Sequence, residues 1–329
     1  MDLSTKYLGL SLKNPIIAAA SPLSTQVDSV KELEDNGTAA VVMYSLFEEQ
    51  INHEAQELDH FLSQGESFAE ALSYFPEPAE FHNLQAEEYL DQIAKLKKTV
   101  DIPIIGSLNG VSAGGWMEWA KKIQDAGADA LELNIFYIPT DPEMTAGKVE
   151  TMYLDALKTV KSNVSIPVSL KLNPYFSAFA NFAGKLSEAG ADGLVLFNRF
   201  FQPDINLENL TVQHDMELSR PYDLRLAVRW LAILSGQTNC SLAATNGIHT
   251  GEDVLKVIMA GADAAMTASE LIKNGPGRVK EMLDYMSQWM EKREYNSIEE
   301  MKGSMSYAKV AEPAAYTRAN YMKTLQSYV

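Results

Sequence analysis

Cysteine is nearly absent. Cys240 is the only one in 329 residues, which excludes an internal disulfide and any iron–sulfur cluster held by cysteines of this chain alone. Positive charge is also scarce: 27 Lys and Arg stand against 44 Asp and Glu, a formal net charge of −17. Nucleic acid and anionic membrane surfaces are therefore not expected as partners, because phosphate is repelled. No apolar run is long enough to span a bilayer. No basic N-terminal segment leads into one either, and IIAAA (Ile16–Ala20) is too short for a signal peptide, so a cytoplasmic location is expected. A P-loop, G-x-S-x-G, and a G-x-G-x-x-G after the first strand pattern are all missing. HEAQE at His53 lacks the second histidine of H-E-x-x-H. His53, Glu57 and His60 then read as one solvated helix face, and no metal is expected.

What is present is a phrase written three times. DAGADALEL (Asp125–Leu133), EAGADGLVL (Glu188–Leu196) and MAGADAAMT (Met259–Thr267) echo one another, and DNGTAAVVM (Asp35–Met43) is a looser fourth copy. In each, a glycine suited to a left-handed helix C-cap is followed by an apolar run that reads as a strand buried on both faces. Eight such runs occur: Asn14–Ala20, Ala39–Ser45, Pro103–Asn109, Ala130–Phe136, Pro167–Asn173, Gly193–Arg199, Cys240–Asn246 and Ala264–Ser269. Most are separated by room for one helix. Eight strands alternating with helices predict a single (β/α)8 TIM barrel. Two long connections, Leu46–Ile102 and Phe200–Asp223, follow the second and sixth strands and should hang over the same mouth. The first includes YFPEPAEFHN; the second leads into the apolar helix LRLAVRWLAIL. Ser297 and Glu300 form a capping box in SIEEM. Residues 1–302 are read as the barrel, and 303–329 as a helical extension docked on the barrel or on a partner chain.

The strand ends carry polar groups out of proportion to their length. Ser21, Ser45, Ser107, Asn109, Asn134, Lys171, Asn173, Asn198 and Asn246 all lie at or just past the C-terminus of a predicted strand, where barrels of this kind place their chemistry. One asparagine there is an ordinary turn former. Several converging on one face, with a single lysine, match a planar heterocycle rich in N–H and C=O groups. Lys171 sits inside an apolar strand, where an unpaired ammonium is costly. It is either a Schiff-base nucleophile or a positive charge placed beside an anion that forms in the reaction. TNGI (Thr245–Ile248) and TASE (Thr267–Glu270) follow the last two strands, where barrels frequently bind phosphate. Gly247 lets the backbone approach closely and Ser269 offers a hydroxyl. Together with Lys171 this is the pattern expected for flavin mononucleotide (FMN) laid across the mouth.

From LGLSLKNPIIAAAS through GADALELN, VSLKLNPYF, TNGIHTGEDV and ASELIKNGP to SIEEMKG, the chain resembles the dihydroorotate dehydrogenase family over nearly the whole barrel. The resemblance implies FMN as cofactor, hydride transfer between a pyrimidine ring and flavin N5, and a homodimer. It would set Ala19, Ala20 and Ser21 beside the flavin ring, with Ser45 and Asn109 near it. Lys171 would stand at the N1/C2 carbonyl edge, and Asn246, Gly247, Ala268 and Ser269 would hold the phosphate. Asn134, Asn198 and Tyr44 would face the substrate. The chain departs from the family at the substrate side. Three residues past the asparagine of LELN the family has a serine or cysteine base, and this chain has Tyr137, a phenol that ordinarily titrates near ~10. Tyr44 replaces a lysine and Pro139 an asparagine. Phe136 and Tyr137 would wall the pocket. The expected function is thus an FMN-dependent oxidoreductase acting on a C–C bond of a planar polar substrate, which need not be dihydroorotate. Genuine dihydroorotate oxidation, a Schiff-base lyase built on Lys171, and a non-catalytic barrel subunit are the alternatives.

Overall fold

Each of the eight apolar runs carries a strand. The computed structural model describes residues 1–51, 86–111, 114–213 and 216–327. An N-terminal hairpin, β1 (Thr5–Tyr7) and β2 (Leu10–Leu12), precedes β3 (Ile16–Ala18), β4 (Ala40–Val42), the two-residue β5 (Leu46–Phe47), β6 (Ile104–Asn109), β7 (Ala130–Asn134), β8 (Val168–Leu172) and β9 (Gly193–Leu196). A second hairpin, β10 (Asp204–Asn206) and β11 (Thr211–Gln213), separates these from β12 (Ser241–Thr245) and β13 (Ala264–Thr267). The parallel order β4-β3-β13-β12-β9-β8-β7-β6 is closed by a β4–β6 pairing, giving a barrel of eight strands. The connecting helices are α1 (Val27–Asp35), α2 (Ala86–Thr99), α3 (Trp119–Asp125), α4 (Ala146–Asn163), α5 (Phe179–Glu188), α6 (Leu224–Leu234), α7 (Gly251–Ala260), α8 (Ser269–Asn274) and α9 (Arg278–Lys292). After them come α10 (Ile298–Met301) and α11 (Arg318–Gln326). The (β/α)8 architecture read from the sequence is the one observed.

The repeated phrase has a mechanical reason. Its glycines adopt positive φ, 104° at Gly127, 97° at Gly190 and 124° at Gly261, and end their helices. Two residues on, the aspartate turns back to the start of the preceding strand. Asp129, Asp192 and Asp263 accept hydrogen bonds from the backbone N–H of Ile104, Val168 and Leu242 at 2.8, 2.7 and 2.8 Å. Lys97, Lys161 and Lys302 pair with the same three carboxylates. These are N–H groups that the barrel's lower rim would otherwise leave unpaired. The loose copy at Asp35–Met43 has no such aspartate, and Asn14 Oδ1 takes the N–H of Ile16 instead, at 2.9 Å.

Alternation along the strands divides two cores. Outward residues such as Leu131, Leu133, Leu170 and Leu194 pack under the helices. Inward residues Ile17, Val42, Ile105, Val195 and Met266 fill the barrel's lower half, and Tyr7, Leu8 and Leu12 of the first hairpin join them as a floor. The upper half is left for other contents.

Three local readings are refined. The strand read as Ala39–Ser45 is regular only at Ala40–Val42, and the irregular stretch Met43–Ser45 separates β4 from β5. The connection after β9 holds the β10–β11 hairpin rather than plain loop. Ser297 caps α10 by accepting from Glu300 N–H, but the Glu300 carboxylate returns to the N–H of Asn296, one residue short of a reciprocal box. The C-terminal extension docks on the barrel through Gly303, Met305 and Tyr307, whose N–H groups bond Ile258, Met259 and Ala232. No residue of α11 is buried. YFPEPAEFHN, His53, Glu57 and His60 lie outside the described residues.

Candidate functional site

Register assembles the site before any loop is considered. Asn109 on β6 pairs with Asn134 on β7, and Asn134 with Lys171 on β8, so three polar side chains form one inward row at the top of the barrel. One row below, Ser107, Glu132 and Ser169 align in the same way. The opposite wall is built from small apolar residues: Ala19, Ala20 and Ala268 all pack on the inner cluster. The mouth is thus polar on the β6–β8 side and low and smooth on the β3–β13 side, a shape that admits a flat ring with carbonyls along one edge.

Lys171 is 8% exposed, and its Nζ lies 3.3 Å from Glu132 Oε1. Glu132 is 1% exposed, and its Oε2 has no partner among the described residues. An ammonium has three donors; among the described residues one is used, by Glu132, and two are left over. Asn198 donates from Nδ2 to Asn134 Oδ1 at 2.6 Å, which fixes both amides and leaves the Asn134 NH2 and Asn198 Oδ1 for a substrate. Ser45 and Ser107 share a hydroxyl–hydroxyl hydrogen bond of 2.9 Å. Ser21 is buried at the end of the β3 segment, where its carbonyl accepts from the Ser24 hydroxyl.

Over this row sits an aromatic group drawn from three loops. Phe136 stacks on Phe200 with centroids 4.0 Å apart, and Tyr175 meets Phe200 edge-on at 5.5 Å. The pair Phe136 and Tyr137 therefore divides its tasks. Phe136 belongs to this canopy, whereas Tyr137 is half-buried, and its hydroxyl has no hydrogen-bond partner among the described residues. Tyr44 stands edge-on to Tyr89, its hydroxyl buried and without a hydrogen-bond partner among the described residues, and burial, with Glu88 second, pushes that phenol up. Asn173 serves structure: it donates to the Tyr153 hydroxyl and accepts from the N–H of Tyr175.

At the far end, Asn246 and Gly247 both have positive φ, 73° and 79°. A Cβ on Gly247 would collide with the backbone nitrogen of Leu224 and press on the Arg220 carbonyl. Glycine is therefore required twice, by conformation and by contact. The Asn246 Oδ1 is buried without a partner among the described residues. Ser269 opens α8, and its Oγ accepts from the N–H of Ser219 at 3.1 Å. Beside these residues lies a pocket of 440 Å³ lined in part by Ser219, Arg220, His249, Ser269, Glu270 and Lys273. Since α8 is only six residues long, recognition of an anion here would rest on side chains and the Gly247 turn more than on a helix terminus.

Sequence reasoning missed the hydrogen-bonded trio of this pocket, Ser219, His249 and Glu270. His249 Nδ1 is 2.9 Å from Glu270 Oε2, and its Nε2 is 3.1 Å from Ser219 Oγ. A carboxylate only accepts, so Nδ1 carries the proton toward Glu270. Burial works to raise the Glu270 carboxyl, but hydrogen bonds from His249, Asn274 and Arg278 outweigh it and hold it below its ordinary value. The histidine in TNGIHT and the glutamate in TASE were the available signals. Glu132 was equally visible, as a charge inside an apolar strand. Among the described residues no group of three or more His, Cys, Asp or Glu side chains is placed to hold a metal, and no helix is long and apolar enough to cross a membrane.

Replacing Gly247 with alanine is expected to destabilise the fold by about 1–3 kcal/mol from backbone strain alone. It should also push the 219–224 segment off the turn. Thermal unfolding with and without added ligand measures both effects; a variant with unchanged melting and ligand response would remove Gly247 from the account.

Comparison with known proteins gives a consistent set of likenesses. The family model described as dihydroorotate dehydrogenase matches residues 77–290. The catalytic subunit of dihydroorotate dehydrogenase B (NAD(+)) from Thermoplasma acidophilum is 26% identical over 312 residues, covering 92% of this chain and 98% of that protein. The protein of the same description from Methanocaldococcus jannaschii is 26% identical over 313 residues, covering 92% and 97%. The NAD-dependent dihydropyrimidine dehydrogenase subunit PreA of Escherichia coli is 23% identical over 322 residues, covering 92% of this chain and 76% of that protein.

Proposed function

The chain belongs to the dihydroorotate dehydrogenase family, and we propose that it is an FMN-dependent oxidoreductase that reduces a C=C bond in a planar, polar substrate other than dihydroorotate. The observation that carries this is the row Asn109–Asn134–Lys171, facing small alanines and leading to the Gly247 turn. The residues present fit the cofactor: Lys171 keeps two donors for a carbonyl edge, Ala19, Ala20 and Ala268 leave height for a flat ring, and Ser45 and Asn109 flank it. Asn246, Gly247, Ala268 and Ser269, with Arg220 and Lys273 near the pocket, would hold the phosphate. When bound, FMN supplies a two-electron donor and acceptor.

The chain's own groups do the rest. Asn134 and Asn198, locked to each other, present an N–H donor and a C=O acceptor that orient an amide-bearing ring, and the Tyr44 ring closes one side. Phe136, Phe200 and Tyr175 exclude water above them. The Tyr137 hydroxyl, which has no hydrogen-bond acceptor among the described residues, supplies a proton to the substrate, the step that accompanies reduction. The Glu132–Lys171 pair weighs against a Schiff-base lyase, because a lysine held as ammonium lacks the lone pair that a nucleophile needs. A homodimer is part of the proposal, since Ile205, Leu207, Leu210 and Val212 of the β10–β11 hairpin are all more than half exposed; sedimentation at the monomer mass would remove that part.

The test is an anaerobic titration of the bound flavin. The pre-reduced protein should be reoxidised by some member of a panel of unsaturated pyrimidines and enoate-like compounds, while dihydroorotate leaves the oxidised protein unbleached. Rapid bleaching by dihydroorotate would instead establish the family's usual reaction.

A further inference from the structure

We propose that Glu132 is a positioning residue that holds Lys171 in place and tempers its charge, thereby setting how readily the bound flavin takes up electrons, a role that rests on the flavin site proposed above. The arrangement is hard to explain as packing. Glu132 points into the barrel one row beneath the asparagine–lysine row, on the same side of the sheet as Ala130, which joins the apolar floor. Its neighbours in register have other partners: Ser107 Oγ bonds Ser45 Oγ, and Ser169 Oγ donates to the Leu131 carbonyl. One carboxylate oxygen meets Lys171 Nζ at 3.3 Å, and the other has no partner among the described residues. A buried ion pair gives little net stability over an apolar filling of equal volume, and a half-satisfied one gives less. What the pair does offer is control of charge. Lys171 alone would present a full positive charge to the mouth; with Glu132 behind it, the mouth meets the positive end of a dipole, whose field falls off faster with distance.

Glu132→Gln keeps the shape and an acceptor for Nζ but removes the countercharge. The expected result is a protein that still binds flavin and whose flavin is about tenfold easier to reduce at equilibrium, an upward shift of about 30 mV for a two-electron couple. Dye equilibration reads this without turnover. Glu132→Asp, which restores the charge, should return the potential toward the unsubstituted protein. An E132Q protein with an unchanged or lowered potential overturns the role while leaving the flavin site standing. A chain that takes up no flavin overturns both. If E132Q does not fold, the unsubstituted protein carries the test: reduction of the flavin should shift a carboxylate band in the infrared difference spectrum that moves on ¹³C-glutamate labelling. An isotope-insensitive spectrum would overturn the role equally.

Discussion

Lys171→Met is expected to slow the hydride step by about 10²–10³-fold, the usual loss when one preorganised donor is removed from a developing negative charge. At ~4 Å and an effective dielectric of ~20, an ammonium attracts a unit charge by roughly 4 kcal/mol before desolvation, enough to cover that range. The same substitution leaves the Glu132 carboxylate buried without its partner, and breaking a buried pair from one side costs about 3–5 kcal/mol. The two effects separate experimentally. Pairing K171M with E132Q removes the stranded charge and should recover most of the melting temperature while recovering none of the rate. Recovery of the rate in the double variant would mean that Lys171 serves the fold and that the mouth's charge lies elsewhere.

Tyr137→Phe is expected to slow substrate reduction by about 10²–10⁴-fold, the range for loss of a positioned general acid. It should leave flavin content and the reduction of the flavin itself unchanged. The asymmetry between half-reactions is what matters. A phenol that only walls the pocket loses little on becoming phenylalanine, so a variant within about threefold of the parent in both half-reactions would move proton delivery to water or substrate and leave Tyr137 as packing. Stopped-flow measurement of each half-reaction under anaerobic conditions distinguishes the two.

The barrel was legible because it is written in repeats. A glycine that must end a helix, followed two residues later by an aspartate that must satisfy the previous strand, constrains the same positions at each turn of the chain, as at Asp129, Asp192 and Asp263. The row Asn109–Asn134–Lys171 was legible for a related reason: polar residues at strand ends have only the mouth to face. Asn173 was the exception, because Tyr153 reaches it across from α4, a contact 20 positions distant in sequence that no local pattern announces. The hairpin at Asp204–Gln213 was hidden by its shortness, three residues a side. Glu132 was passed over because alternation in LELN accounts for Leu131 and Leu133 and makes the glutamate between them look like an ordinary inward or outward choice; only the register that sets it under Lys171 reveals the pair. Ser219 and His249 come from two separate loops and Glu270 from the first turn of α8, and their meeting is a property of the closed barrel alone.

The most direct measurement is the visible spectrum of the purified protein, followed by identification of what heat or acid releases from it. A yellow protein that yields FMN, in near-equal ratio to chain and lost in proportion when Gly247 is substituted, is the predicted result. A colourless protein that gains no flavin on incubation with FMN would contradict the site from Ala19 to Ser269 as a whole.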